Sequence, residues 1–196
     1  MVKKQVLSKQ SIRSKYLARR DALSLSERRE KSRMIREMLQ KELCYREADM
    51  VLVYMDYRSE VMTSALVEEL FLSGKKVFAP RVKGFDILFY EIHSLEDLEE
   101  GYQGIREPVE KQEMLLSEAE LSEKNCLVLV PGVVFDRKLS RMGYGKGFYD
   151  RFLEKYGEYV FSAGLAFSCQ IAKQVPTEQH DRRLDLIVTE NEVIRG

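Results

Sequence analysis

The chain has 196 residues, of which 44% are hydrophobic and 33% are charged. A chain of this size and composition buries a sizeable core and is typical of a globular protein. Lysine plus arginine equals aspartate plus glutamate at 32 each, so the net charge indicates neither a nucleic-acid nor a membrane partner. No apolar run approaches the roughly 18 residues of a membrane helix. The three cysteines lack metal-ligand spacing and favour free thiols in a reducing compartment.

We therefore expect one domain over residues 1–196 that acts as a cytoplasmic monomer. Charge is nevertheless uneven along this chain. Residues 1–20 contain seven basic side chains and no acidic one, whereas residues 94–123 contain ten acidic side chains against two basic ones. A basic segment beside an acidic surface favours an anionic ligand near the basic segment. We expect residues 94–123 to form an acidic, partly irregular surface connection.

Two helices are predicted at the start of the chain. Ile12, Tyr16 and Leu23 recur at helical spacing, and Lys9 and Arg13 lie one turn apart on a neighbouring face. A capping box of Ser24 and Glu27 begins the second helix. The apolar stripe predicted for that helix consists of Met34, Ile35, Met38, Leu39 and Leu43.

Short apolar runs separated by helical or loop segments follow from residue 48. They predict strands at 50–55, 76–80, 88–92, 127–135, 159–167 and 184–188. Several runs are apolar on both faces, as expected for strands sandwiched between helices in a mostly parallel sheet. Further helices are predicted at 61–73 and 146–156, with a shorter one near 168–173. This alternation predicts a layered α/β domain whose mostly parallel sheet is flanked by helices.

In such sheets ligands bind at the carboxyl ends of the strands. Residues 54–60, 80–83, 131–136 and 164–167 lie at predicted strand ends and are the predicted walls of a binding site.

Residues 141–151 carry the strongest indication of chemistry. Gly143, Gly145 and Gly147 alternate there, and glycine lets backbone N–H groups converge on an anion. The last glycine precedes a predicted helix, whose free N–H groups and dipole stabilise negative charge. Positive charge comes from Arg141, Lys146 and Arg151. The spacing matches neither a Walker loop nor a dinucleotide fingerprint, yet it indicates a phosphate site.

Three neighbouring side chains have open assignments. Asp150 is placed to hold Mg²⁺ beside a nucleotide, or to complement the dipole of the helix that it begins. Phe148 and Tyr149 are adjacent aromatics on different faces. We expect one to pack in the core and the other to stack on a planar ligand.

Residues 141–152, RMGYGKGFYDRF, resemble the signature of the 5-formyltetrahydrofolate cyclo-ligase family, also called methenyltetrahydrofolate synthetase. That signature is R-[LM]-G-x-G-x-G-[YF]-Y-D, preceded by P-G-x-x-F-D, which residues 131–136 match. Residues 9–13 are similar to the family's K-x-x-[LI]-R, residues 60–63 to E-[IV]-x-T and residues 104–108 to G-I-x-E-P. Residues 175–190 resemble the C-terminal block. The similarity spans nearly the whole chain in the expected order.

The resemblance implies a Rossmann-like fold of the NagB/RpiA/CoA-transferase-like type. It also implies an enzyme that converts the small molecules 5-formyltetrahydrofolate and ATP to 5,10-methenyltetrahydrofolate, ADP and phosphate with Mg²⁺. The implied catalytic residues are Lys146 and Arg141. The implied Mg²⁺ ligands are Asp150 and Asp181.

The resemblance also implies two sets of binding residues. The implied ATP-binding residues are Lys9, Arg13, Arg141, Met142, Gly143, Tyr144, Gly145, Lys146, Gly147, Phe148 and Tyr149. The implied folate-binding residues are Met55, Glu60, Tyr144, Gly145, Lys146, Gly147 and Phe148.

Two other classes of function compete with this interpretation. A sugar-phosphate or acyl-transfer enzyme could share the scaffold, because a fold does not fix a function. A non-catalytic RNA-binding module could use the basic N-terminal segment, with binding that weakens steeply with salt. The neutral total charge argues against that module, and we expect no nucleic-acid partner.

Overall fold

The computed structural model describes residues 8–177 and 182–196. The helices are α1 (Lys9–Asp21), α2 (Leu25–Leu39), α3 (Leu43–Arg46), α4 (Ser64–Leu72), α5 (Glu118–Glu123) and α6 (Phe148–Tyr156). The first six strands are β1 (Met50–Leu52), β2 (Lys76–Lys83), β3 (Asp86–Ile92), β4 (Leu98–Glu100), β5 (Arg106–Pro108) and β6 (Cys126–Val130). They are followed by β7 (Val134–Asp136), β8 (Arg141–Met142), β9 (Val160–Leu165), β10 (Ile171–Ala172), β11 (Leu186–Val188) and β12 (Val193–Arg195).

A seven-stranded sheet in the order β12-β11-β9-β6-β1-β2-β3 forms the centre. Neighbouring strands from β2 to β11 are parallel, and the edge strands β3 and β12 are antiparallel to their neighbours. Two smaller sheets have the orders β10-β7-β8 and β4-β5. The predicted α/β fold with a mostly parallel sheet flanked by helices is confirmed.

Alternation along the central strands explains the two layers of helices. In β1, Val51 belongs to one apolar cluster and Met50 and Leu52 belong to the other. The first cluster contains side chains from α2 and α4, and the second contains side chains from α5 and α6. Because successive strand residues point to opposite faces, a strand covered on both faces must be apolar throughout.

The N-terminal helices form as predicted, with two exceptions. Leu23, predicted on the stripe of the first helix, lies beyond the end of α1 and packs against a different cluster from Ile12 and Tyr16. Ser24 and Glu27 make the reciprocal capping box, with backbone-to-side-chain distances of 2.8 Å and 3.2 Å. Ile35 and Leu39 are fully buried, but Leu43 is 61% exposed, so its assignment to the apolar stripe was wrong. Leu43 begins α3, and the chain has left the line of α2 before it.

The prediction of one strand over 127–135 was wrong. Strand β6 ends at Val130, and β7 starts at Val134 in a different sheet. Pro131 has no N–H to continue a ladder. A Cβ on Gly132 would lie 2.4 Å from the Phe135 ring, so only glycine fits that close approach. This break brings the chain out of the central sheet at its carboxyl edge.

Four further predictions need correction. Residues 168–173 form one 3₁₀ turn and then β10, not a helix, because β10 pairs with β7. Residues 94–123 are less irregular than expected, since they contain β4, β5 and α5. The helices expected at 61–73 and 146–156 are shorter, beginning at Ser64 and Phe148.

The three cysteines are unpaired. Over residues 8–177 and 182–196, no helix is long and apolar enough to cross a membrane.

Asp136 organises the turn between β7 and β8. Its carboxylate is 1% exposed. It accepts hydrogen bonds from the backbone N–H groups of Lys138, Ser140 and Val175 at 2.9, 3.0 and 2.7 Å. Asp136, which was predicted as part of a site wall, therefore joins this turn to the segment after β10.

Replacing this carboxylate tests its structural role. Asp136→Ala leaves three backbone donors without their acceptor, and we expect a loss of roughly 3 kcal/mol in the free energy of unfolding. Urea denaturation measures that loss. The control is Lys138→Ala, an exposed change in the same turn, with an expected effect within about 0.5 kcal/mol. Equal stability of the two variants would contradict the assignment.

Candidate active site

A cavity lies at the carboxyl ends of β1, β2 and β6 and encloses about 150 Å³, room for roughly ten water molecules. Three of the four predicted wall segments line it, through Tyr54, Met55, Tyr57, Glu60, Pro80, Val82 and Pro131.

The fourth predicted wall segment, residues 164–167, does not line this cavity. A Cβ on Gly164 would lie 2.7 Å from Leu184 and 2.8 Å from Phe135, so protein covers the end of β9. Ala166 and Phe167 are fully buried. That prediction was wrong because the small sheet containing β7 closes over this strand end.

The glycine turn, residues 143–147, forms one wall of the cavity. Gly145 and Gly147 have φ of +97° and +71°, values that strain other residues. Gly147 is the N-cap of α6. The free N–H groups at the start of α6 therefore lie beside the cavity, where they favour an anion.

Helix α1 reaches the glycine turn from outside the cavity. The Arg13 Nε donates to the carbonyl oxygen of Gly143 at 2.9 Å, and its guanidinium lies against Gly145. Lys9 is half-buried one turn earlier on the same helix. The structure thus brings Arg13 to the same turn as Lys146, and neither Arg13 nor Lys9 is part of the cavity lining.

Lys146 is the exposed cation of the turn and lines the cavity. Arg151, predicted to add charge there, instead donates to Asp86 at 3.0 Å and to the carbonyl oxygen of Lys146 at 3.1 Å. Its guanidinium lies 5.6 Å from the centre of the Phe148 ring. Arg151 therefore braces the turn rather than facing the cavity.

Arg141 is a buried cation, 8% exposed, in the cavity wall. Its guanidinium forms an ion pair with Asp150 and donates to the carbonyl oxygen of Pro131 at 3.2 Å. Its Nε is buried without a hydrogen-bond partner. Asp150 also lines the cavity, so the pair presents both charges there.

Of the two predicted metal ligands, the structure describes Asp150. Asp181 lies outside the described residues. Among residues 8–177 and 182–196, no three His, Cys, Asp or Glu side chains cluster as a metal site.

Both adjacent aromatics line the cavity. Tyr149 also packs against both core clusters and meets Phe89 edge-to-face, as expected for one of the two, and the stacking of the other on a ligand stays a prediction. Phe148 meets Tyr102 edge-to-face, with ring centres 6.1 Å apart. The Tyr149 hydroxyl is buried without a hydrogen-bond partner. Burial raises its pKa, so at neutral pH it is a protonated donor available to a ligand.

Glu60 is a buried carboxyl group in the opposite wall, 5% exposed. It accepts a hydrogen bond from the backbone N–H of Tyr57 at 2.9 Å. Burial raises the pKa of Glu60 to about 7, against the opposing effects of the Tyr57 hydrogen bond, the Arg20 charge and the Tyr144 hydroxyl. Met55 is half-buried and lines the same cavity.

Several residues in the cavity wall or in contact with it were not predicted from the sequence. Arg20 is 1% exposed, although its helix reads as a solvated basic face. Glu107 is 5% exposed and accepts from the backbone N–H of Val82 at 3.1 Å. Its position in the G-I-x-E-P motif could have identified Glu107 as a site residue. Tyr102, Gln103 and Ile105 come from the acidic segment that was assigned to the surface.

Comparison with known proteins gives a consistent result. The model of the 5-formyltetrahydrofolate cyclo-ligase family matches residues 5–190. The 5-formyltetrahydrofolate cyclo-ligase of Escherichia coli is 32% identical over 151 residues, covering 74% of this chain and 80% of the relative. The mouse 5-formyltetrahydrofolate cyclo-ligase is 28% identical over 196 residues, covering 94% of each chain.

Two solved structures are also similar. The NMR structure of Aquifex aeolicus 5,10-methenyltetrahydrofolate synthetase matches with a TM-score of 0.83 and 32% identity, covering 96% of this chain and 93% of that one. A 5,10-methenyltetrahydrofolate synthetase from Mycoplasma pneumoniae matches with a TM-score of 0.72 and 22% identity, covering 94% and 99%. The second match supports the fold alone.

The raised pKa of Glu60 predicts a pH-dependent cost in stability. The unfolded chain releases this proton near pH 4.5 and the folded protein near pH 7, so stability falls as pH rises between these values. Glu60→Gln removes the ionisation. We expect this variant to gain roughly 3 kcal/mol in stability relative to the unsubstituted protein between pH 4.5 and pH 8.

Urea denaturation at several pH values measures the difference. The control is Glu68→Gln on the exposed face of α4, which should shift stability by the same small amount at every pH. A pH-independent effect of Glu60→Gln would show that Glu60 keeps an ordinary pKa.

Proposed function

This chain belongs to the 5-formyltetrahydrofolate cyclo-ligase family and is therefore an enzyme, and we propose that it cyclises 5-formyltetrahydrofolate to 5,10-methenyltetrahydrofolate at the expense of ATP. The observation that carries this proposal is the pairing, in one cavity, of an anion-binding glycine turn with a buried carboxylate. The first suits the terminal phosphates of a nucleotide, and the second suits the N–H groups of a pterin. Their proximity suits a reaction between the two ligands.

The chemistry requires activation of a poor leaving group. An N-formyl group is an amide, and its oxygen does not leave unaided. Transfer of the γ-phosphoryl group to the formyl oxygen breaks the bond to ADP and forms an O–P bond. N10 then attacks the formyl carbon, loses its proton, and expels phosphate as the C–O bond breaks. The protein supplies alignment and charge neutralisation, and alignment alone can contribute roughly 7–11 kcal/mol.

The glycine turn would bind the nucleotide phosphates. The positive φ angles of Gly145 and Gly147 let the backbone approach closely, and the start of α6 favours their charge. Lys146 lies between these glycines with its side chain on the cavity, where it would neutralise charge on the transferring phosphoryl group. Arg13 supports the turn at Gly143 and adds positive charge behind it.

Arg141 would act from the cavity wall. Its buried Nε has no hydrogen-bond partner in the protein, so a phosphate oxygen is a suitable acceptor. An unpaired buried donor costs about 1–3 kcal/mol, which a ligand oxygen would recover.

The opposite wall would bind the folate. An ionised Glu60 accepts hydrogen bonds only, which matches the amino and ring N–H groups of a pterin. Met55 would contribute an apolar contact, and Phe148 with Tyr102 would contribute aromatic surface. The pterin would then lie within the cavity that the glycine turn borders.

Magnesium fits the donors present. Mg²⁺ bound to nucleotide phosphates needs only one or two protein carboxylates, with water completing its shell. Asp150 is a partly exposed carboxylate in the cavity wall, and Asp181 remains the proposed second ligand. When bound, the ion would shield the negative charge of the phosphates.

We infer that residues 1–196 work as one monomeric catalytic domain on these small molecules in the cytoplasm. The unpaired cysteines are compatible with a reducing compartment. The sugar-phosphate and RNA-binding alternatives lose support, because neither explains a folate-family match over residues 5–190.

Product formation tests the proposal directly. Purified protein with 5-formyltetrahydrofolate, ATP and Mg²⁺ should generate the near-ultraviolet absorbance of the methenyl product. ADP should appear in equal amount and only when the folate is present. ATP hydrolysis that does not depend on the folate would contradict the proposal.

Lys146→Ala should reduce kcat by about 10²–10³-fold, because it removes a preorganised charge beside the transferring group. The residue is exposed, so the fold should survive, as thermal unfolding would check. The matched control is Lys155→Ala, which removes an exposed lysine at the far end of α6. Comparable activity in both variants would remove Lys146 from the catalytic set.

A further inference from the structure

We propose that Arg20 is a positioning residue for the folate, because through the Tyr144 hydroxyl it holds the Glu60 carboxylate ready to accept hydrogen bonds. This inference rests on the proposed function, in which Glu60 binds the pterin. It assigns a role to a buried arginine that neither the glycine turn nor the phosphate chemistry requires.

Arg20 connects three parts of the site from the last turn of α1. Its Nε donates to the Ser59 hydroxyl at 2.9 Å, one residue before Glu60. Its NH1 donates to the carbonyl oxygen of Gly132 at 3.3 Å, at the strand break after β6. Its NH2 donates to the Tyr144 hydroxyl oxygen at 2.5 Å, in the glycine turn.

These contacts fix the direction of the next hydrogen bond. An arginine can only donate, so the Tyr144 oxygen must be the acceptor in its bond with Arg20. The hydroxyl proton of Tyr144 is then free to point elsewhere. Glu60 lines the same cavity as Tyr144, and its carboxylate is the acceptor in this proposal, since a hydrogen bond from Tyr144 would favour the ionised form of Glu60. The proposed order of donation is Arg20 to Tyr144 to Glu60.

Ser59 is fixed in the same way. It accepts from Arg20 and donates to the Asp21 carboxylate, which is adjacent to Arg20 on the chain. The buried charge of Arg20 thus has a nearby counter-ion through one hydroxyl. The loop that carries Glu60 is consequently anchored to α1.

The other groups around Glu60 oppose its ionisation. Burial is the largest influence and raises its pKa. Asp56, on the same loop, acts in the same direction. Burial and the nearby charge of Glu60 both raise the pKa values of Tyr54 and Tyr149. Arg20 is thus the cation that favours an ionised Glu60, acting both directly and through Tyr144.

The test is the pH dependence of 5-formyltetrahydrofolate binding without ATP, measured by isothermal titration calorimetry from pH 6 to pH 9. Tyr144→Phe removes only the hydroxyl, and Tyr144 is 38% exposed, so the fold should tolerate it. We expect Kd to rise about tenfold at pH 7 and the difference to shrink toward pH 9, because the pKa of Glu60 rises.

Arg20→Met should shift the pH midpoint upward at least as far, because Arg20 also acts directly on Glu60, and Arg20→Lys should restore it in part because a positive charge returns. The double variant Arg20→Met with Tyr144→Phe should bind no more weakly than Arg20→Met alone, since both changes interrupt one connection. The control is Arg19→Met, the exposed neighbour on α1 that lies over Tyr16, and its midpoint should not move.

Two results would overturn the inference. One is an unchanged pH midpoint in Tyr144→Phe, and the other is equal weakening at every pH, as expected of a purely structural role. Glu60→Gln separates this failure from a failure of the proposed function. If Glu60→Gln binds the folate as tightly as the unsubstituted protein, Glu60 is not the pterin ligand and the proposed site itself is wrong.

Discussion

The site depends on a backbone that turns back on itself immediately before a helix. Residues 143–147 must bring N–H groups to the cavity while the chain enters α6, and the positive φ angles at Gly145 and Gly147 make that path possible. A β-carbon would strain either position. The cations are arranged around this turn rather than within it, with Arg13 behind, Arg151 bracing and Lys146 facing the cavity. Charge is thus added to a site that the backbone has already shaped for an anion.

Function at this site conflicts with stability. A carboxylate as buried as Glu60 costs free energy when it ionises, and the raised pKa expresses that cost. Arg141 leaves a buried Nε unpaired, and Tyr149 leaves a buried hydroxyl unpaired. Such groups are rare in native proteins. Both groups belong to residues that line the cavity, where a polar ligand could pair with them.

Local chemistry determined what the sequence could predict. The presence of a helix after the glycine turn, the capping box at Ser24 and the two-faced burial of β1 follow from neighbouring residues, and each was predicted. The strand break at residues 131–133 was missed, because apolar residues on both sides mimic one continuous strand. Pro131 and Gly132 were a signal of that break in the sequence, and the packing of Gly132 against Phe135 adds why the chain must turn there.

Buried polar residues were harder to predict from the sequence than the helices and strands. Arg20 and Glu107 look like surface charges in the sequence, and their burial follows from how distant elements meet. Arg20 contacts a residue 124 positions away in the chain. The cavity wall formed by Tyr102 and Ile105 was likewise hidden in an acidic segment. The family signature located the glycine turn, but it did not indicate what holds Glu60 opposite that turn.

The central claim is that the glycine turn holds the terminal phosphates in the same cavity as the pterin. Amide chemical shifts of ¹⁵N-labelled protein test it most directly, with a non-hydrolysable ATP analogue and 5-formyltetrahydrofolate added in turn. The account predicts that the analogue shifts the amides of Gly145, Lys146 and Gly147 most, and that the folate shifts those of Tyr57 and Glu60. The claim would be contradicted if the ATP analogue changed amide chemical shifts mainly away from this turn, for example at the separate cavity lined by Glu42 and Phe161.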